Sequence, residues 1–204
     1  MEADEIKTRM LRVLVYRSAD IDTGSEQLIQ LGHDALLAGN DSPSVALLAG
    51  LTRGEESEAG ALFDRVVKEL GLAVDLPADG APRRWALVRW WASLALDGTL
   101  DPAVAADLIF WKAYSELDQP AVLAPVVAAV GAYEDLADQL AANDDAAVDD
   151  DAEPAQIEAA AVSAGDDSGR SDAEGGSGEL ERLAAEIKER MRELVALEPW
   201  PPLS

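Results

Sequence analysis

The chain has 204 residues, with 40 Asp and Glu against 16 Lys and Arg, and a formal net charge of −24. The sequence contains no cysteine and one histidine. This composition excludes disulfides, thiol catalysis, cysteine-based zinc or iron–sulfur sites, and any multi-histidine metal site within one chain. The negative charge repels phosphate backbones and anionic lipid surfaces, so we expect neither a nucleic-acid nor a membrane partner.

The distribution of apolar residues also bears on location. No segment is a continuous apolar run long enough to span a bilayer. The first residues, MEADEIKTRM, are rich in acids and lack the apolar run of a secretory signal. We therefore expect a cytoplasmic protein.

The N-terminal stretch favours a helix over a strand. Ile6, Met10 and Val13 recur with helical spacing. The run from Val13 to Tyr16 would also fit a buried strand. The rest of the chain has no alternating pattern that could pair with such a strand. We therefore predict a helix here.

We predict the next three helices over residues 25–38, 43–50 and 55–70, from the residues that mark their boundaries. The first two begin at serine or Ser-Pro, and all three end at a glycine, which are typical helix boundaries. Acids in the first turn of the third helix suit the helix dipole. The pattern lacks the alternating acids and central glycine of a calcium loop, so we predict no metal site.

The next three helices are richer in apolar residues. Pro82 to Leu96 is apolar nearly all round, which predicts a position in the middle of a bundle. Asp101-Pro102 opens a second helix. A third covers residues 120–142, and Pro125 should kink it or delay its start. The helical period predicts that the second helix turns four side chains inward: Val104, Leu108, Trp111 and Tyr114.

Beyond residue 142 the composition changes twice. Residues 143–178 carry eleven acids, one base and few large apolar side chains, which predicts a disordered acidic linker. Residues 179–204 form an amphipathic helix with a Pro-rich end that carries Trp200. The sequence thus predicts an all-α protein: a bundle of six to seven helices over 1–142, the linker and the terminal helix. The stripe of that helix consists of Leu183, Ile187, Met191 and Leu194.

The residues suited to nucleophilic catalysis are few. His33 is followed by Asp34, with Ser42 and Ser44 nearby in sequence. No GxSxG turn on a strand–turn–helix unit is present, and His33 lies near the edge of an apolar helix face. We therefore expect no catalytic residue and no cofactor.

Basic and aromatic residues alternate in the segment PRRWALVRWW, which includes Arg84, Arg89 and Trp90. We interpret the tryptophans as core residues, and the arginines as partners of local acids or of aromatic ring faces. Under the alternative, Arg84, Arg89 and Trp90 hold a small anionic ligand or an acidic segment. The tail of the chain itself is one such segment.

A resemblance covers roughly residues 25–115. It rests on DSPS (41–44 of the sequence), LFDRV (62–66) and the run WW…DGTLDP. With these motifs the chain resembles a family of small all-helical proteins common in actinomycetes. The resemblance implies a helical domain and carries no activity, so it assigns no catalytic residue.

These observations lead to two functional hypotheses. The first is a non-catalytic interaction or regulatory protein, such as an adaptor, immunity protein or antitoxin. Its partner would have a basic surface or a hydrophobic groove, and would contact the terminal stripe and Trp200. The alternative is a ligand-binding or enzymatic domain with a pocket between the Trp-rich helices. The terminal helix must pack on its own domain, a second copy or a partner, because it is only marginally stable alone.

Overall fold

The computed structural model describes residues 3–148, 168–198 and 200, and within them the fold is all-α, as predicted. Within these ranges, no helix is both long and apolar enough to cross a bilayer. The eight α-helices are α1 (Ala3–Ser18), α2 (Ser25–Leu37), α3 (Pro43–Ala49), α4 (Ala59–Glu69), α5 (Gly80–Asp97), α6 (Pro102–Ile109), α7 (Ala124–Val148) and α8 (Ser168–Val195). A 3₁₀ segment (Arg53–Glu58) precedes α4, and a π turn (Phe110–Tyr114) follows α6.

Helix α1 contributes to two separate hydrophobic cores. Ile6, Met10 and Val13 are buried with side chains of α2, α3 and α4 in the first core. Val15 and Ala19 are buried in the second core, which α5, α6, α7 and α8 complete. The N-terminal segment is therefore a helix, as predicted, and it joins the two halves of the molecule.

The start of α3 is capped by a side chain from α4. The Glu69 carboxylate accepts hydrogen bonds from the Ser44 hydroxyl (2.5 Å), the Ser44 backbone N–H (3.1 Å) and the Ser42 hydroxyl (2.8 Å). The hydrogen bond from the Ser44 side chain is the main reason that the pKa of Glu69 is lowered. A carboxylate at a helix N-terminus is also favoured by the helix dipole. This contact ties α3 to α4 within the first core.

Proline sets the beginning of α7. The helix starts at Ala124, so Pro125 lies in the first turn, where its missing N–H is not needed. The prediction that Pro125 delays the helix is confirmed. Helix α7 continues to Val148 and α8 begins at Ser168. Both therefore extend into the range predicted as a linker, whose central residues 149–167 lie outside the described part of the chain.

Helix α8 packs on its own chain. Ile187 and Met191 are fully buried and Leu194 is nearly so, all within the second core. Near the other end of α8, Gly176 lies so close to the Leu140 side chain that a Cβ atom there would clash. Helices α5, α6 and α7 form the surface on which α8 lies. Of the three occupants considered for the terminal stripe, the structure shows the chain's own domain.

The π turn changes which side chains of the Asp101 helix face inward. The predicted inward position of Trp111 is wrong, because its side chain is 66% exposed. A π turn has a wider repeat than an α-helix and rotates the positions that follow it. Leu108 is buried as predicted, and Val104 and Tyr114 pack partly buried against the second core. Ala105, Ile109 and Ala113 are buried as well. Since Ile109, Phe110 and Trp111 are consecutive and bulky, one of them must point away from the core.

Candidate functional site

The tryptophans and arginines of α5 have different environments. Trp91 is fully buried, Trp85 is nearly so, and Trp90 is half-buried against the second core. Arg84 forms an ion pair with Glu116, which follows the π turn. Arg89 lies over the ring of Trp200, with 5.1 Å between its guanidinium carbon and the ring centroid. The prediction that the arginines pair with a local acid or lie over a ring face is confirmed for both.

The structure does not gather the proposed ligand residues at one place. Arg84 lines a cleft of about 270 Å³ together with Arg83, Lys112 and Glu116, and neither Arg89 nor Trp90 lines it. The cleft lies between the end of α1 and the start of α5. Arg84 and Arg89 therefore serve two different surfaces.

The residues proposed for partner binding on α8 are mostly inside the protein. Ile187, Met191 and Leu194 belong to the second core, while Leu183 and Trp200 are half-buried. The Trp200 ring forms an edge-to-face contact with Trp85, and the Arg89 guanidinium lies over it. A partner can reach the first three side chains only after α8 has left the core.

The residues near His33 do not form a nucleophilic triad. His33 is exposed, and Asp34 accepts hydrogen bonds from Arg9 (2.6 Å) and Gln30 (3.0 Å). The pKa of Asp34 is lowered, chiefly by the hydrogen bond from Arg9. The two serines nearby in sequence donate to Glu69 instead. Among the described residues, no three acids or histidines are grouped closely enough to hold a metal ion.

The most distinctive surface feature is a cleft around Trp111. It has a volume of about 320 Å³ and lies between the end of α1, helix α6 and the π turn. Two large apolar side chains are exposed here, Trp111 at 66% and Ile21 at 37%. The Trp111 ring is supported by Phe110, whose centroid is 4.9 Å away at an interplanar angle of 67°. The cleft is lined by Tyr16, Ile21, Val104, Asp107, Leu108, Trp111 and Lys112.

A Schellman turn at the end of α1 presents Ile21. The Ile21 N–H donates to the Tyr16 carbonyl (2.9 Å), and the Asp20 N–H donates to the Arg17 carbonyl (3.1 Å). Asp20 adopts the left-handed conformation that this motif requires, with φ of 55°. Tyr16 and Ile21 occupy the two positions whose side chains usually touch in a Schellman motif, and both line the cleft. One wall of the cleft is thus set by backbone hydrogen bonds.

Asp107 on α6 and Glu134 on α7 are neighbouring carboxyl groups. One oxygen of Asp107, Oδ1, is buried and accepts no hydrogen bond from an N–H group or a hydroxyl of the described residues. Glu134 on α7 is its neighbour, and partial burial raises the pKa of Glu134. A hydrogen bond with Asp107 and the charges of Asp107, Asp138 and Asp135 raise that pKa further. Negative charge is therefore concentrated beside the apolar cleft.

No family model matches the chain, and neither does any curated protein or solved structure. The assignment of a site therefore depends on geometry alone. Sequence reasoning missed the Trp111 cleft because it placed Trp111 in the core. The available signal was the run Ile109-Phe110-Trp111, which is too wide for one face of a helix.

Proposed function

We propose that the protein is a non-catalytic interaction or regulatory protein that binds a partner protein through the Trp111 cleft. The observation that carries this proposal is the exposure of Trp111 beside Ile21 in a preformed apolar cleft. Large exposed apolar groups in one patch are typical of interaction surfaces. Tryptophan is also among the residues that most often dominate the energy of an interface.

The charge of the protein supports the choice of partner. A net charge of −24 accelerates encounter with a basic surface and disfavours anionic ones. This charge lies on a surface whose arginines are largely engaged, as the ion pairs of Arg9, Arg17 and Arg84 illustrate. A protein with a basic face around an apolar side chain therefore complements this molecule best.

A second candidate function is the binding of a small anionic ligand. It is favoured by the 270 Å³ cleft at the start of α5, where Arg83, Arg84 and Lys112 line one space. Against it, Arg84 is neutralised by Glu116, and Asp20 and Asp79 line the same cleft. The positive charge available to a ligand is therefore small.

Quantitative affinity purification tests the first proposal. The tagged full chain, its Trp111→Ala variant and its Leu37→Ala variant are each used to recover proteins from the source cell. Leu37 is the matched control, because it is 86% exposed and lies on α2 in the other half of the molecule. We expect a partner that Trp111→Ala loses and Leu37→Ala retains.

Purified components then provide the decisive measurement. The recovered protein is expressed separately and its affinity for the three chains is measured by calorimetry. A loss of tenfold or more, about 1.4 kcal/mol, in Trp111→Ala alone supports the proposal. Equal recovery and equal affinity for all three chains would rule out the Trp111 cleft as the docking surface. A rise in the melting temperature of the full chain on addition of anionic metabolites would favour the second candidate, the cleft lined by Arg83.

A further inference from the structure

We propose that the Trp111 cleft binds a basic amphipathic helix of the partner, with one apolar side chain in the cleft and an arginine or lysine on Asp107. This inference rests on the proposed function and deepens it by naming the chemistry of the partner. It follows from the size of the cleft, from the carboxylate of Asp107 in its lining and from the spacing of Asp107 and Trp111.

The size of the cleft suits side chains. Its 320 Å³ is at the lower end of the range of about 300–1,000 Å³ for small-molecule pockets. Its walls are mainly apolar: Tyr16, Ile21, Val104, Leu108 and Trp111. One large apolar side chain of a peptide would fill much of this space and cover the exposed faces of Ile21 and Trp111.

The polar edge of the cleft is complementary to a cation. Asp107 is the one acidic residue among those that line the cleft, and its side chain is partly exposed. Its neighbour Glu134 adds a second carboxyl group beside the cleft. An arginine or lysine from a partner would supply the opposite charge. Arginine can also stack on an aromatic ring such as that of Trp111. Lys112 lines the cleft too, and the nearby Glu134 leaves the carboxyl groups of Asp107 and Glu134 in excess over this one cation.

The spacing of the two anchors indicates a helical partner. Asp107 and Trp111 are four residues apart across the junction of α6 with the π turn, and both line the cleft. They therefore lie about one helical turn apart. A partner helix matches them with a cationic and a large apolar residue three or four positions apart, which is the spacing of neighbours on one helix face.

Other occupants fit the same surface less well. A second copy of this chain would bring another charge of −24 against the carboxyl groups. Helix α8 has its apolar stripe buried, and Arg182, Arg190 and Arg192 form ion pairs with its own glutamates. Residues 149–167 contain no lysine or arginine that could reach Asp107.

A designed peptide tests the chemistry directly. The probe is a fluorescein-labelled amphipathic peptide of leucine and arginine, roughly 18 residues long so that it can form a helix. A counterpart carries glutamate at every arginine position. Fluorescence anisotropy is measured with the full chain at about 0.15 M salt, which screens diffuse attraction. We expect the arginine peptide to bind saturably and the glutamate peptide not to bind.

Matched variants separate the cleft from the general charge of the protein. Asp107→Asn and Trp111→Ala should each weaken binding of the arginine peptide by about tenfold or more. The controls are Asp41→Asn, an exposed acid beside α3, and Leu37→Ala. Both controls should bind as the unmodified chain does. Ile21→Ala removes a side chain outside either core. If Asp107→Asn does not fold, the affinity of Ile21→Ala for the arginine peptide provides a second test of the cleft.

The outcomes that overturn the inference are distinct from failure of the proposed function. Equal affinities for the unmodified chain, Asp107→Asn and Trp111→Ala would show that the peptide binds by charge elsewhere. The same would follow if Asp41→Asn lost as much affinity as Asp107→Asn. A dimer in sedimentation that Trp111→Ala dissociates would make a second copy the occupant. If the natural partner depends on Trp111 but not on Asp107, the proposed function stands and this inference fails.

Discussion

The ring of Trp200 stands edge-on to that of Trp85, with centroids 5.8 Å apart and an interplanar angle of 87°. The guanidinium of Arg89 lies over the Trp200 ring as well. The segment that follows α8 is thereby attached to α5. Edge-to-face aromatic pairs and cation–π contacts each stabilise a fold by roughly 0.5–1.5 kcal/mol.

Replacing Trp200 by alanine should lower the free energy of unfolding by about 1–2 kcal/mol, because both ring contacts are lost. Urea denaturation of the full chain measures the change. Leu37→Ala is the matched control, since its 86% exposed side chain should contribute within about 0.5 kcal/mol. Equal effects in the two variants would mean that Trp200 is not held on Trp85 in solution.

Replacing Trp91 by alanine should cost about 3–5 kcal/mol, since its side chain is fully buried in the second core. Its indole N–H is buried without a hydrogen-bond acceptor. Trp91→Phe removes that N–H together with part of the ring, so its cost should be clearly smaller. Thermal unfolding of both variants checks the order. If Trp91→Phe proved as damaging as Trp91→Ala, the indole N–H must have an acceptor.

The double replacement Ile187→Asp and Met191→Asp should unfold the second core and leave the first intact. Both side chains are fully buried, and each loss costs about 2–5 kcal/mol before the charges are counted. Hydrogen exchange should then show protection kept around Leu31 and Phe63 and lost around Trp91. The second core therefore depends on α8, whereas the sequence predicted a helical bundle over residues 1–142 followed by a linker and a separate terminal helix.

The control for this experiment changes two exposed alanines of the same segment, Ala185→Asp and Ala196→Asp. It adds the same charge to α8 and its end without entering the core. Protection of both cores should persist. Loss of the second core in the control as well would point to charge repulsion, and not to packing, as the cause.

Replacing Glu134 by glutamine should stabilise the protein more at pH 7 than at pH 4. Partial burial and the neighbouring Asp107 raise the pKa of Glu134 above its usual 4.5 in the folded state. The folded protein therefore binds this proton more tightly than the unfolded chain does. Stability that is present below pH 4.5 is lost as pH rises through the folded-state pKa.

Urea midpoints at the two pH values measure this effect. Glu181→Gln, an exposed glutamate on α8, is the control and should show no such difference. If Glu134→Gln gained equal stability at pH 4 and pH 7, Asp107 would not be raising the pKa of Glu134.

Local signals in the sequence predicted the helix boundaries of the first core, except the start of the helix predicted over 55–70. Helix α4 begins at Ala59, because residues 53–58 form a 3₁₀ segment. Helices α2 and α3 begin where Ser25 and Pro43 indicate, and Pro125 delays α7. Each of these boundaries depends on backbone conformation within a few residues, which a local pattern can report. The side chains that would pair with Arg84 and Arg89 were also anticipated by kind, as an acid and an aromatic ring.

Features that depend on distant packing could not be predicted in the same way. Helical periodicity places Ile187 on an apolar stripe, and it does not say that the stripe packs on α5. Trp111 lies in a π turn, in which Ala113 is the residue fully buried in the core. A prediction that assumes a regular α-helix therefore misses the cleft at Trp111.

The division of the core residues along the chain sets an order of folding during synthesis. The buried residues of the first core lie between Ile6 and Val67, whereas the second core requires Ile187 and Met191. At about 5–20 residues per second, the ribosome needs on the order of ten seconds to extend the chain between these points. From the point at which α5 has been synthesised until the end of that interval, its apolar face, which includes Trp91, has no helix α8 to cover it. The nascent chain must remain soluble with this face open, and its dense negative charge opposes aggregation for that period.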